Sequence, residues 1–242
     1  MTQEAVIVTG AAGGIGKALV DVFDEKGVHA IGLGRKSVNG LIGCDLAELG
    51  RTGALPDEVR AAIDARLAGR RLRALVNNAA SQHLGKTADI PWDKWQETLA
   101  VNLSAPFALV RIFLDRLAAD HGCVLNIGSV HAQSTKPGFA AYGTSKAALH
   151  GLTRALAVDL GPRVRVCGLA PAAVDTPMLR AGFEGNPEGF AALEAVHPVG
   201  RIADPREVAE AAVWMTGPDA GFLAGTNVYL DGGVLSRLHD PA

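Results

Sequence analysis

Residues 5–16 constrain the fold more than any other stretch. Residues 5–9 (AVIVT) form a short apolar, β-branched run, the composition of a strand buried on both faces of a parallel sheet. Gly10, Gly13, Gly14 and Gly16 follow at once, with Ile15 between the last two. Residues 17–26 then repeat at helical period, with Ala18, Leu19, Val22 and Phe23 apolar. Strand, glycine loop and helix in that order make a phosphate cradle. Glycines let the backbone turn tightly and approach a pyrophosphate, whose charge rests at the helix N-terminus. Both Gly10-x-x-x-Gly14-x-Gly16 and Gly10-x-x-Gly13-x-x-Gly16 fit the letters, and Gly-x-Gly-x-x-Gly does not occur. A plain strand-to-helix turn is the competing reading; four glycines in seven residues count against it.

Residues 28–33 read as a second strand. An acid near its end would hold the ribose 2′-hydroxyl of NAD, but the residues there are Gly34, Arg35, Lys36 and Ser37. Two cations and a hydroxyl suit a 2′-phosphate, so NADP(H) is favoured over NAD(H), a solvated loop pair being the alternative. The next apolar run, 41–44, arrives after a connection that spans at most ~25 Å when extended. This predicts an extended crossover with no helix, and a third strand closed by Asp45 and Leu46. Asp45 either accepts from an adenine amino group or caps a helix or turn. Residues 55–67 read as an amphipathic helix and 72–76 as a fourth strand running into Asn77-Asn78-Ala79-Ala80. Paired asparagines there can tie neighbouring loops to each other, and alanines leave room for a cofactor ribose.

Residues 91–117 form a long helical pattern with Asn102 inside it. Asparagine is unfavourable in mid-helix and, if buried, its amide must be satisfied. A core amide holding a local distortion or a water is expected. Residues 123–127 (CVLNI) read as a buried strand, which puts Ser129 at a carboxyl end, where open α/β sheets bind ligands. Tyr142 and Lys146 are four apart in a helical stretch, 142–160, and so share a face. A phenol with its ordinary pKa of about 10 exchanges protons poorly at neutral pH. A fixed ammonium beside it is expected to favour phenolate and lower that value. Gln82, His83 and His131 are placed to line a substrate pocket, as orienting groups or as hydrogen-bonded walls. Residues 163–169 read as a sixth strand and 227–230 as the last. Between them, 178–198 is longer than a plain connection: a candidate substrate lid, or a surface helical excursion.

Thr9-Gly10-x-x-x-Gly14-x-Gly16, Asn77-Asn78-Ala79, Asn102, Ser129 and Tyr142-x-x-x-Lys146 together resemble the short-chain dehydrogenase/reductase family in order and spacing. The resemblance covers essentially the whole chain and points to the short single-domain branch. It implies an α/β fold: a doubly wound, Rossmann-type sheet of seven parallel strands with helices on both faces, as one domain over 1–242 with a lid near 177–200. It implies hydride transfer between a nicotinamide and an alcohol or carbonyl substrate. Tyr142 would exchange the proton, Ser129 bind the same substrate oxygen, Lys146 tune the tyrosine and hold the nicotinamide ribose, and Asn102 keep a water linking Lys146 to bulk. Gly10, Gly13, Gly14, Ile15, Gly16, Arg35, Lys36, Asp45, Leu46, Asn78, Ala79, Tyr142, Lys146, Pro171, Val174 and Thr176 are the cofactor contacts it implies. The family usually shows Pro-Gly where this chain has Pro171-Ala172, and alanine resists a positive φ. A homotetramer is the expected assembly.

The rest of the composition narrows the alternatives. A formal net charge of −2 gives no electrostatic case for nucleic acid or an anionic membrane. No apolar run approaches the ~18–20 residues of a membrane span, and no signal-peptide pattern opens the sequence. Cys44, Cys123 and Cys167 lie in separate apolar runs and read as buried thiols, and the histidines show no metal-ligand spacing. A cytoplasmic protein without a metal is expected. A non-catalytic nucleotide sensor on the same fold would have no need of Tyr142 or Lys146, nor would a methyltransferase.

Overall fold

The computed structural model describes residues 3–238. Strand β1 (Gln3–Thr9) leads through the glycine loop to helix α1 (Gly14–Glu25), and β2 (Val28–Gly34) lies parallel beside β1. Alternation along β1 sends Ala5 and Ile7 to one face of the sheet and Val6 and Val8 to the other. Both faces are covered, so each register position is buried and slippage would expose apolar side chains.

The crossover after β2 is extended, as expected, and returns into a strand of only two residues, β3 (Ile42–Gly43). Ser37 braces it: its hydroxyl accepts from the Gly43 N–H at 2.9 Å. Asp45 does not close this strand. It opens a helix that the sequence reading missed, α2 (Leu46–Thr52), with its carboxylate accepting from the N–H groups of Ala47 and Glu48 at 2.8 and 3.1 Å. Helix α3 (Asp57–Leu67) leads to β4 (Arg70–Asn77), which pairs with β1 on the side opposite β2. The sheet order is β3-β2-β1-β4 and continues through β5 (Cys123–Ile127), β6 (Arg165–Pro171) and β7 (Asn227–Leu230), all parallel. The chain winds outward from β1, then restarts at β4 in the other direction. That reversal opens a crevice above Thr9 and Asn77, where ligands bind in such sheets.

The single helix expected over 91–117 is a rod in three parts: α4 (Trp92–Leu99), a π segment (Ala100–Ser104) and α5 (Ala105–Ala119). Pro106 gives the reason. It carries no N–H and its ring crowds the carbonyl four residues back, which belongs to Asn102. The preceding turn opens into i→i+5 bonding, and the Ala105 N–H reaches the Ala100 carbonyl. This rod is long and apolar enough to cross a membrane by length and composition, contrary to the sequence reading. Its apolar stripe (Ala105, Leu109, Phe113, Leu117) instead packs on the sheet with Ile7, Leu75 and Val124. Helix α6 (Ala140–Leu160) shares that face, while α1 and α9 (Pro205–Thr216) cover the other.

Helix α2 locks the π segment. A Cβ at Gly50 would stand 2.6 Å from the carbonyl carbon and 2.9 Å from the Cα of Ala100. Alanine gains about 1 kcal/mol over glycine in a helix interior, but overpacking against backbone costs about 1–3 kcal/mol, and here the neighbour cannot swing aside. Gly50→Ala is therefore expected to lower the free energy of unfolding despite its better helix propensity, measured by urea denaturation.

Candidate active site

The glycine loop is shaped by its own backbone. Gly10 and Gly14 have φ of +67° and +53°, and a Cβ at Gly16 would run into the Gly10 carbonyl oxygen. A Cβ at Gly13 would point into open space. The structure thus selects Gly10-x-x-x-Gly14-x-Gly16 as the spacing that packing demands. Helix α1 begins at Gly14, so its unpaired N–H groups border the loop. The loop is tied across the crevice. The Thr9 hydroxyl accepts from the N–H groups of Asn78 and Ala79, both at 3.0 Å, and the Asn78 amide donates to the carbonyls of Thr9 and Gly10 at 2.9 and 3.3 Å. Asn78, expected as a cofactor contact, is therefore first a brace for the loop. Arg35 and Lys36 are exposed at the end of β2 and form no ion pair among the described residues. The loop runs beside that end, the Ala11 N–H reaching the Leu33 carbonyl at 3.0 Å. Asp45 uses one carboxylate oxygen on α2, and Leu46 turns into the core beside it. Bare glycine backbone, a helix N-terminus and nearby cations fit the phosphates of a nicotinamide dinucleotide.

Further along the same edge, Val174 is buried and paired with Ala203. Thr176 caps helix α7 (Pro177–Ala181) and its methyl lies 3.1 Å from where a Gly14 Cβ would stand. Pro171 is buried at the end of β6, and Ala172 keeps an ordinary negative φ, its N–H donating to the Leu230 carbonyl at 3.1 Å. The departure from Pro-Gly carries no strain. Residues 177–200 hold α7 and a second short helix, α8 (Pro187–Ala195), neither with a buried residue. They are clasped to each other by Phe183 against Phe190 and by Arg180 over the Phe190 ring at 5.4 Å. This is a helical excursion, not an irregular loop.

Ser129, Tyr142 and Lys146 meet above β5. Ser129 and Lys146 are buried, and the lysine Nζ stands 5.7 Å from the centre of the Tyr142 ring. The charge balance differs from the sequence expectation. Nζ donates to the Ile127 carbonyl at 2.7 Å, and burial alone brings its pKa down to about 8. Burial also pushes the Tyr142 pKa up, opposed by a hydrogen bond with Ser129. Neither group has a counter-ion among the described residues, so the medium disfavours phenolate and ammonium alike, and desolvation outweighs the attraction expected between them.

Asn102 joins this group through the helix. Its Oδ1 accepts from the Ser81 N–H at 2.7 Å, and its Nδ2 donates to the Ser81 carbonyl and the Ser145 hydroxyl, each at 2.9 Å. Ser145 in turn donates to the Tyr142 carbonyl at 2.7 Å. The amide is a clamp between the segment after β4 and α6, and both its N–H bonds are taken. A water for Lys146 is not held by those hydrogens. Ser81 and Ser145 were not singled out from the sequence; the only signal was a serine in mid-helix, a position where its hydroxyl bonds a carbonyl of the preceding turn.

The predicted wall residues divide. His131 Nδ1 lies 3.0 Å from the Thr135 hydroxyl. Its ring stacks on Phe139 at 4.3 Å, with the Tyr142 ring edge-on at 5.8 Å. Burial and then Lys136 lower its pKa, so the imidazole is neutral. His83 Nε2 is 3.1 Å from the Ser81 hydroxyl and 3.3 Å from Glu97, a satisfied wall group, while Gln82 is exposed. The Gly85 N–H to Gly138 carbonyl bond, 3.1 Å, joins the two loops that carry them. No cluster of three or more metal-ligating side chains occurs among the described residues.

Comparison with known proteins agrees with this geometry. A family described as enoyl-(acyl carrier protein) reductase matches residues 10–235. The chain is 31% identical to a 3β-hydroxysteroid dehydrogenase of Eggerthella lenta, over 96% of this chain and 93% of the relative. It superposes on ligand-free aldohexose dehydrogenase of Thermoplasma acidophilum with a TM-score of 0.89 at 30% identity, covering 99% and 97% of the two chains. A candidate NAD(P)-dependent gluconate 5-dehydrogenase of Beutenbergia cavernae, with NADP bound, gives a TM-score of 0.85 at 31% identity over 98% of each chain.

Two measurements test the charge balance. The chain has two tyrosines, so in Tyr229→Phe protein the phenolate absorbance reports Tyr142 alone, and it should appear above the ordinary phenol value. For Lys146 the folded pKa of about 8 lies below the value of 10.5 found without burial. The fold therefore disfavours the protonated form, and the cost stands in full below the folded value. Stability from this group rises with pH between the two values. The difference in unfolding free energy between wild type and Lys146→Met, followed by urea denaturation, should grow in favour of the wild type across that window.

Proposed function

The chain belongs to the short-chain dehydrogenase/reductase family and is an NAD(P)-dependent oxidoreductase acting on CH–OH groups; on that premise we propose that Tyr142 is its proton donor and acceptor and NADP(H) its preferred cofactor. The observation that carries the reading is the meeting of Ser129, Tyr142 and Lys146 above β5, at the same edge of the sheet as the braced glycine loop.

The nicotinamide, when bound, supplies or takes the hydride. The remaining work falls to the chain. Tyr142 gives its proton to the carbonyl oxygen in reduction and takes one from the hydroxyl in oxidation. Ser129 donates to the same oxygen and stabilises the charge that grows on it. Lys146, with its pKa near 8, is the group able to exchange a proton close to neutral pH, and it would hold the nicotinamide ribose. A proton leaving Lys146 needs an acceptor. At ordinary helical spacing residue 106 would donate to the Asn102 carbonyl, and residue 106 is Pro. The opened turn thus leaves backbone carbonyl capacity for a bridging water, a role the Asn102 side chain cannot take because it clamps Ser81 and Ser145.

NADP(H) over NAD(H) is supported by Arg35 and Lys36, exposed and free of ion pairs among the described residues, at the strand end where an acid would select NAD. His131 stacked on Phe139 supports a substrate wall beside the reacting oxygen, and residues 177–200 support a lid that closes over it. Phe107 on α5 and Val158 on α6 leave apolar surface exposed, which supports a homotetramer built on these helices. Buried free thiols at Cys44, Cys123 and Cys167 suit the cytoplasm.

Tyr142→Phe is expected to lower kcat by about 10²–10⁴-fold with an alcohol or ketone from a substrate panel. An undiminished rate would refute the role. NADPH should raise the melting temperature more than NADH at equal concentration. Arg35→Ala with Lys36→Ala should remove that difference while leaving the NADH shift in place.

A further inference from the structure

Helix α6 carries a third residue on the stripe of Tyr142 and Lys146, one turn further on: His150. It is buried, and its Nε2 has no hydrogen-bond partner among the described residues. One side of the ring meets Tyr229 of β7 edge-on, with centroids 6.1 Å apart. The other meets Gly128. A Cβ built at Gly128 would fall on Nε2 and lie 2.9 Å from Cδ2. The imidazole thus rests on bare Cα, and only glycine fits beneath it. Burial, and then the charges of Lys146 and Arg154 on the same helix, bring the His150 pKa down to about 4. The ring is neutral, and an unprotonated Nε2 can accept a weak hydrogen bond from the Gly128 Cα–H.

What Gly128 connects gives this contact its consequence. Its N–H is fixed to the sheet by the Leu169 carbonyl at 2.7 Å. Ile127 before it supplies the carbonyl that anchors Lys146 Nζ. Ser129 after it carries the hydroxyl that lowers the Tyr142 pKa against burial. Three consecutive residues therefore present the lysine anchor, the imidazole seat and the serine hydroxyl to one face of α6. We propose that His150 is a positioning residue: seated on Gly128, its ring sets the distance between α6 and the turn at 127–129, and with it the placement of Ser129 and Lys146 about Tyr142. The inference rests on the oxidoreductase reading for its consequence in catalysis, not for its geometry.

The test is a steric exchange. Gly128→Ala should push ring and turn apart and lower kcat roughly ten- to hundredfold with KM little changed, because it displaces reacting groups and not the substrate walls. Adding His150→Ala makes room for the new methyl and should recover most of that loss. His150→Leu, an apolar filling of a buried site, should fold and lower kcat alone. A double variant no faster than Gly128→Ala would overturn the proposal, as would wild-type kcat in Gly128→Ala. The phenolate titration of Tyr142 in the Tyr229→Phe background needs no substrate and separates this inference from the proposed function. Gly128→Ala should move it, and His150→Ala in that protein should move it back. An unmoved titration refutes positioning by His150, whereas a protein inactive on every alcohol tested but with a shifted titration counts against the proposed function alone. Should Gly128→Ala fail to fold, His150→Leu with both kcat and titration at wild-type values overturns the proposal.

Discussion

An ammonium buried without a counter-ion is the interaction on which the site depends. Lys146 has one backbone carbonyl, that of Ile127, in place of bulk water. A single neutral acceptor does not replace hydration, so the proton is held loosely and the pKa falls to about 8. The same dry surroundings drive the neighbouring phenol the other way. Each shift alone looks like a defect in a catalyst. Together they separate two groups whose ordinary proton affinities nearly coincide, and leave Lys146 as the one of the pair that exchanges a proton near neutral pH. Ser129 and Lys146 are held buried there, between the end of β5 and α6.

The other half of the site is made of backbone. The glycine loop presents N–H groups and no side chains, and its shape is enforced from across the crevice by Thr9 and Asn78. Such a cradle tolerates no movement of β4 relative to β1, and these strands pair over nearly their full length. Asn102 extends the brace in the third direction, from the segment after β4 to α6, through Ser81 and Ser145. The cradle and the proton-exchanging groups are thereby parts of one hydrogen-bonded frame, although they lie on different elements.

Much of this frame was legible in the sequence because it depends on local patterns. Apolar β-branched runs of strand length, glycines at fixed spacing and a tyrosine and lysine four apart each express a periodicity or a backbone requirement. What stayed hidden depends on partners distant in sequence. Helix α2 is short, and its cap Asp45 reads equally as the end of a strand. The π segment is the exception: it follows from Pro106, a local helix-breaking signal that the helical periodicity of 91–117 masked. The direction of the Tyr142 shift was misjudged because spacing reports that two groups are near, while burial decides which charge the medium tolerates. His150 looked like any helix histidine until Gly128 was found beneath it.

The frame and the walls differ in how they are held, and this difference bears on selectivity. Asn102, Ser145, Lys146 and His150 are buried and fixed by contacts with the sheet or with each other. His131 and Phe139 are half-buried and held mainly by one another and by Thr135, and α7 and α8 bury no residue at all. A substitution in the walls changes contacts with a substrate at little cost to the fold, whereas one in the frame alters the reacting geometry and stability together. Proteins similar to this chain over nearly its whole length carry names that specify a steroid, an aldohexose and gluconate. With the proton exchange we propose for Tyr142, a rigid frame beside weakly anchored walls is a physical arrangement that allows such divergence, since the chemistry does not have to be rebuilt when the wall changes.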